Sequence, residues 1–243
     1  YLILILPHSI ITVSVVTALL PRLSNYVLDK KHEELTTSLT KAIRLIGIFT
    51  VPAALLFLAF GQLIANTLYF GISDADANYL GLTLSAFALG LIPVSINLVL
   101  LRGLNAFENL KSQVIGNLIM NLVSVVLSYL VAVWLEPKWV TVGLAAIFTL
   151  HYFIGVGISF YLIKRHQVKL PLLSIMLYYL KLIAIFALVI TPIWLLRGAI
   201  PGGNLISLLL VTSLSGIFYL LIAKLLKISE VSDLLKVIRS RKV

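Results

Sequence analysis

Six runs of about 20 apolar residues constrain the fold of this chain more than any other feature. A bilayer core about 30 Å thick requires roughly 20 helical residues, because each residue rises about 1.5 Å and lipid offers no partner to a free backbone amide. The predicted fold class is therefore all-α, a polytopic transmembrane helix bundle. We place its helices at 44–66, 80–101, 114–134, 141–163, 177–196 and 205–226, after a partial helix at 1–20.

Composition excludes a soluble domain. The chain is 60% hydrophobic and only 12% charged, whereas soluble domains carry about 25% charged residues. Cysteine is absent, which excludes disulfides, thiolate nucleophiles and cysteine metal sites. The first residues, Tyr1 to Leu6, form an apolar run without an initiator methionine or a basic leader, so we expect the sequence to be the C-terminal part of a longer protein.

Basic residues alternate from one connection to the next. Sixteen of the nineteen Lys and Arg residues lie in or beside every second connection and at the C-terminus. Short cytoplasmic loops retain positive charge, so we predict a cytoplasmic C-terminus and an external loop at Asp74 and Asp76. The net charge of +10 is accounted for by these loops, and no nucleic-acid partner is expected.

The sequence contains no catalytic constellation, and we predict that the chain is not an enzyme. Asp74 and Asp76 are a pair of acids before a helix, which is typical of a helix cap. No metal or cofactor is predicted, because the chain has no cysteine and its histidines lack metal-ligand spacing. They are His8, His32, His151 and His166.

Polar residues within the spans are the candidates for a substrate path, because an ionisable group in hydrocarbon costs at least about 2.5 kcal/mol. Lys181 lies about one turn into its helix and can also extend to the interface. His151 lies near the middle of its span and can also form a hydrogen bond across helices. Asn117 and Asn121 are four residues apart and share a helix face, where they either join helices or line a polar path.

Two arginines complete the set of substrate-path candidates. Arg44 and Arg102 stand at predicted cytoplasmic helix ends. An arginine there serves either as a topology anchor or as a bidentate phosphate ligand. Proline positions also matter, because a missing amide hydrogen bond bends a helix. The prolines within the predicted spans are Pro52, Pro93 and Pro192.

Two segments resemble the MurJ/MviN family of lipid II flippases. Residues 6–24, LPHSIITVSVVTALLPRLS, are similar to the end of the family's eighth helix. Residues 102–114, RGLNAFENLKSQV, resemble its cytoplasmic connection R-x-F-Y-A-x-x-D-x-K/R-T-P. The chain departs from that pattern at Asn105, Asn109 and Gln113, where the family has Tyr, Asp and Pro.

The resemblance implies the C-terminal half of a fourteen-helix, two-lobed carrier in the bacterial inner membrane. Residues 1–166 would form a transport lobe, 167–227 two additional peripheral helices, and 228–243 a basic amphipathic cytoplasmic tail. The implied substrate is the undecaprenyl-pyrophosphate-linked peptidoglycan precursor, and the other implied partners are membrane lipids and the missing N-terminal lobe. The family's cavity arginines lie outside this sequence, so none is assigned to a position here.

Other functions remain open at the level of sequence. A drug/cation antiporter or an oligosaccharide-lipid flippase of the same superfamily would share the architecture. A polytopic membrane enzyme acting on lipid-linked sugars would need acids facing its substrate, for which Asp74 and Asp76 are the candidates. A membrane scaffold without transport activity is the third class.

Overall fold

A computed structural model describes residues 14–69, 71–108, 110–197, 203–228 and 230–231. This part of the chain folds into eight α-helices and contains no strand, which confirms the predicted all-α class. In chain order the helices are α1 (Ser14–Leu28), α2 (His32–Leu68), α3 (Asp74–Ala88), α4 (Leu91–Ala106), α5 (Leu110–Trp134), α6 (Pro137–Arg165), α7 (Leu172–Leu195) and α8 (Asn204–Leu225).

The described residues contain six helical stretches long and apolar enough to cross a membrane. They are α2, α3 together with α4, α5, α6, α7 and α8, and this agrees with the six predicted spans. Most of the predicted partial helix at 1–20 lies outside the described residues. The chain is thus a multi-pass membrane protein.

The second span differs from the single helix predicted at 80–101. It begins earlier, at Asp74, and it is broken between α3 and α4 at Leu89 and Gly90. Gly90 is buried where α6 comes close, since a Cβ there would lie 2.9 Å from the Thr149 hydroxyl. Pro93 occupies the first turn of α4, where its missing amide would have no helical acceptor. Pro93 therefore lies at a helix start and does not bend a continuous helix.

Helix α2 is much longer than the predicted span 44–66. Its 37 residues correspond to about 55 Å, so α2 extends well beyond a bilayer core. The backbone leaves helical geometry at Phe60 (φ −121°, ψ 23°) and not at Pro52, where the sequence predicted a bend. Ser85 of α3 donates its hydroxyl hydrogen towards the Phe57 and Leu58 carbonyls, at 3.3 and 3.2 Å, and so supplies a donor at the kink.

The core of the bundle forms around α2, which packs against α1, α3, α4, α7 and α8. Helix α7 is joined to α2 by the Tyr179 hydroxyl, which donates to the Ile43 carbonyl at 2.8 Å. The buried Phe186 of α7 meets Tyr219 of α8 edge to face, with ring centroids 5.4 Å apart. Helix α8 buries residues only at every fourth position: Val211, Ser215, Tyr219 and Ala223.

The bundle has two ends that differ in charge. We call the basic end the one that holds the α1–α2, α4–α5 and α6–α7 connections and the end of α8. At this end, Phe107 after α4 stacks on His166 after α6, with ring centroids 4.3 Å apart. The opposite end holds the α2–α3, α5–α6 and α7–α8 connections. Most of the predicted tail 228–243 lies outside the described residues, but Ile228 and Val231 are buried in the core at the basic end.

Candidate functional site

A polar stripe runs along α5. Its members are spaced four, four, three and four residues apart, which places them on one face of the helix. We call it the α5 stripe, and it consists of Gln113, Asn117, Asn121, Ser124 and Ser128. The sequence prediction had recognised only Asn117 and Asn121 as its members.

One edge of the α5 stripe meets a buried polar pair. The Ser159 hydroxyl of α6 donates to the Asn97 Oδ1 of α4 at 2.7 Å, and both residues are almost fully buried. A cavity of about 10 Å³ lies between this pair and the side chains of Gln113 and Asn117. That volume suits a single water molecule. The Gln113 Nε2 atom is buried and has no acceptor among the described residues, so a water here would satisfy it.

The middle of the α5 stripe is bonded to α6. The Ser124 hydroxyl lies 2.7 Å from Nδ1 of His151, and this hydrogen bond joins two helices in the middle of their spans. His151 therefore makes the interhelical bond considered at the level of sequence. The bond also aligns the imidazole ring with the stripe, although which nitrogen holds the proton is set by its neighbours.

The other edge of the α5 stripe is open. Helix α5 has 25 residues, of which only Gly116 and Met120 are buried. Asn117 and Asn121 are both exposed, as are the apolar side chains that flank them, including Leu118 and Leu122. An amide exposed to hydrocarbon is costly unless it finds a partner. This part of the chain thus leaves a face with polar groups uncovered at membrane depth.

A second polar group lies at the basic end, around Arg44. The Arg44 Nη2 atom donates to the Ser174 hydroxyl at 2.7 Å, and Nη1 lies 3.6 Å from the Glu230 carboxylate. The guanidinium also stands 5.2 Å from the centre of the Tyr178 ring. We call these residues, together with Lys181 and Lys227, the Arg44 cluster. They line a cavity of about 290 Å³.

Lys181 and Arg102 have different surroundings. The exposed Lys181 extends to the basic end, where its Nζ lies 3.5 Å from the Leu226 carbonyl. The structure thus brings Lys181 and Arg44 to one cavity. Arg102 lines neither this cavity nor the small one beside the α5 stripe. Its Nε atom is buried and has no acceptor among the described residues.

The acids at the opposite end form a helix cap. Ser73 precedes α3, its hydroxyl oxygen accepts from the Asp76 amide at 3.1 Å, and it donates to the Asp76 carboxylate at 2.7 Å. Asp74 and Asp76 are exposed and occupy the first turn, where carboxylates stabilise the helix dipole. Within the described ranges, no three His, Asp or Glu side chains come close enough to hold a metal ion.

The sequence prediction missed several members of these groups. Asn97 and Ser159 are polar residues within predicted spans, so the rule that selected Asn117 would also have selected them. Ser174 and Glu230 lie outside the predicted spans, and only the fold brings them to Arg44 across 130 and 186 positions of chain. No pattern in the sequence indicates those contacts.

The chain is similar to known proteins in both sequence and fold. The family model described as lipid II flippase MurJ matches residues 1–221. A solved structure described as lipid II flippase MurJ in an inward closed conformation superposes on the chain with a TM-score of 0.74 and 21% sequence identity. The superposition covers 92% of this chain and 44% of that chain. At this identity the likeness is one of fold, and this chain spans less than half of the length of the solved one.

Proposed function

Because the chain belongs to the MurJ family of lipid II flippases, we propose that the complete protein moves lipid II from the inner to the outer face of the bacterial plasma membrane. Lipid II is the undecaprenyl-pyrophosphate-linked peptidoglycan precursor. The family match over residues 1–221 is the observation on which this proposal rests. The six membrane-crossing stretches supply the bundle that such a carrier needs.

The chain by itself is proposed to be one half of the carrier. Alternating access requires two bundles that close around a site between them, and the solved flippase is more than twice as long as the part matched here. We assign residues 1–166 to the transport lobe, 167–227 to two additional helices and 228–243 to a basic tail. The missing N-terminal lobe and membrane lipids are the proposed partners.

The α5 stripe is proposed to face that missing half. Asn117 and Asn121 are exposed on a helix that buries almost nothing within the described part of the chain. A polar face at membrane depth is stable against another helix or against a water-filled cavity. His151 is held beside the stripe by Ser124 and belongs to the same proposed path.

Arg44 is proposed to act as an anchor at the basic end. The Arg44 guanidinium already donates to Ser174 and approaches Glu230 and Tyr178. Both of its terminal nitrogens therefore have protein partners. A role for Arg44 in gripping a substrate phosphate would require these contacts to break. Arg102 is proposed to be a charge anchor, for which a lysine is sufficient.

Complementation tests the transport proposal. The full-length protein should support growth of bacteria depleted of their lipid II flippase, whereas this 243-residue chain should fail even when it is well inserted. Growth with the isolated chain would contradict the two-lobe argument. In vesicles, transport of a drug cation or of an oligosaccharide-lipid in place of lipid II would instead favour one of the related superfamily functions.

Orientation is tested separately. We propose that the end of α4 at Asn105 and the C-terminus are cytoplasmic and that the start of α3 at Asp74 is external. The chain contains no cysteine, so a single cysteine at either position reports its side with an impermeant thiol reagent. Labelling at position 74 but not at position 105 in intact cells is expected, and the reverse result would invert the topology.

A further inference from the structure

A polar pocket at the opposite end of the bundle is not used by the proposed function. It lies between the end of α2, the start of α3 and the end of α7, and its volume is about 470 Å³. Small-molecule sites usually enclose roughly 300–1,000 Å³. Its polar lining consists of Gln62, Asn66, Asn78, Ser85, Trp194 and Arg197.

The walls of this pocket are fixed by close packing. A Cβ at Gly61 of α2 would lie 2.5 Å from the Gly81 carbonyl oxygen of α3, so the two backbones are in contact. Just before this contact, the Ser85 hydroxyl donates towards the carbonyls at the α2 kink. Two helices held backbone to backbone cannot slide without breaking these contacts. The pocket is therefore preorganised, which reduces the entropy lost on binding.

Three uncharged amides face the pocket without protein partners. The side chains of Gln62, Asn66 and Asn78 form no hydrogen bond with any residue that the structure describes. Each amide presents both a donor and an acceptor. Gln62 and Asn78 are exposed and Asn66 is partly buried. Gln62 lies about 9 Å from the end of α2, at 1.5 Å per residue, so the amides are spread along the open wall of the pocket.

The lining distinguishes between classes of ligand. A hydroxyl group both donates and accepts, and therefore pairs with either end of an amide. A phosphate oxygen only accepts, so it pairs with the NH2 end of an amide and leaves the amide oxygen unpaired. Arg197 is the one cation among the described lining residues, and its guanidinium lies 4.1 Å from the Trp194 ring centre. The lining therefore offers an anion one charged group, whereas it offers hydroxyl groups the donors and acceptors of three amides.

We propose that this pocket binds the sugar ring of a glycan. The amides of Gln62, Asn66 and Asn78 bond its hydroxyl groups, and the half-exposed Leu58 and Leu82 beside them cover its apolar face. The site is built by this chain alone, from α2, α3 and α7. The proposal concerns sugar binding and does not depend on which lipid the complete protein transports.

Ligand-observed NMR tests the proposal on the full-length protein in nanodiscs. N,N′-diacetylchitobiose is the probe, and saturation transfer from the protein to its ring protons is expected. The double variant Asn66→Leu/Asn78→Leu should bind it about tenfold more weakly, since each lost hydrogen bond contributes about 0.5–1.5 kcal/mol. Gln62→Leu should weaken binding in the same direction and serves as a second variant if the double one does not fold.

The matched control is Asn204→Leu. Asn204 is also an exposed amide at the opposite end, but it does not line the pocket, so its loss should leave the signal unchanged. Absence of saturation transfer in the unaltered protein would overturn the proposal. So would sugar binding that survives in the folded pocket variants, because the sugar would then be held elsewhere. Displacement of the sugar by inorganic phosphate would identify an anion site and would equally exclude the proposal.

Discussion

Helices α2 and α5 are alike in hydropathy but opposite in environment. Their most apolar windows have mean hydropathies of 2.2 and 2.0, yet α2 buries sixteen residues and α5 buries two. The polar groups differ in the same way. Arg44 of α2 is engaged by Ser174 and Glu230 from other parts of the chain, whereas the α5 stripe is engaged along one edge and open along the other. Hydropathy therefore reports that a helix enters the membrane, but not what surrounds it there.

The largest expected effect comes from filling the closest contact of α2. In Gly61→Val, the new side chain would collide with the backbone of Gly81, which cannot rotate away. Overpacking of this kind costs up to about 3 kcal/mol, occasionally more. The measurement is the yield and thermal unfolding of the full-length protein in detergent. Gly157→Val is the control, because a Cβ at Gly157 meets nothing within 4 Å. Equal losses of yield and thermal stability in both variants would show that close packing at Gly61 makes no difference.

Substitutions of two asparagines compare a buried polar residue with an exposed one. Asn97→Leu leaves the buried Ser159 hydroxyl without its partner and should lower the free energy of unfolding by about 1–3 kcal/mol. Asn121→Leu, on the open edge of α5, should leave the stability of the isolated chain unchanged and impair complementation by the full-length protein. Thermal unfolding and growth assays separate these outcomes. An unimpaired Asn121→Leu protein would remove the proposed role of the α5 stripe.

A lysine at position 44 tests the basic end of α2. Lysine keeps the charge, but it lacks the fork that reaches both Ser174 and Glu230. We expect a loss of about 1 kcal/mol, given that the ion pair is partly exposed, together with faster proteolysis beyond Lys227. Lys41→Gln, on the exposed side of the same helix, is the control.

Arg102→Lys should support growth as well as the unaltered protein does, and slow growth of that variant would contradict the anchor role.

Acidification should weaken the contact between the α4–α5 turn and the end of α6, where Phe107 stacks on His166. Burial lowers the pKa of His166 below its usual value of 6.5, and the neighbouring Arg165 lowers it further. The unfolded chain then binds more protons than the folded one, so stability falls as the pH drops below about 6.5. Thermal unfolding at several pH values measures this. His166→Phe keeps the stacking on Phe107 and should flatten the dependence, whereas an unchanged slope would assign the effect to other groups.

The smallest expected effect concerns the acids that start α3. Asp74→Asn/Asp76→Asn leaves the Ser73 cap in place and removes only the charges that interact with the helix dipole, so stability should change by less than about 1 kcal/mol. Complementation by the full-length protein should be unaffected, because these residues stabilise the start of a helix. Loss of growth with normal insertion would revive the alternative of a membrane enzyme acting on lipid-linked sugars.

The sequence by itself determined the properties that depend on local chemistry. Six apolar runs gave the number of spans, because each run is long enough to cross lipid without help from the rest of the chain. The acids Asp74 and Asp76 were recognised as part of a helix cap, since a cap involves only neighbouring residues, but the helix begins at Asp74 and not at the predicted position 80. The boundaries of α2 were less predictable, because its first twelve residues are polar enough to resemble a loop and become helical by packing Leu35 and Leu39 into the core.

Only the tertiary structure decided which residues meet. Asn97 pairs with Ser159 across 62 positions of chain, and Arg44 reaches Ser174 across 130. The pocket beside Gln62 likewise needs three helices from distant parts of the sequence. Hydropathy and helical spacing describe one helix at a time, so they contain no information on which faces come together. These contacts form only when the helices pack together, with α2 at the centre of the bundle and α5 at its side, because packing depends on pairs of helices.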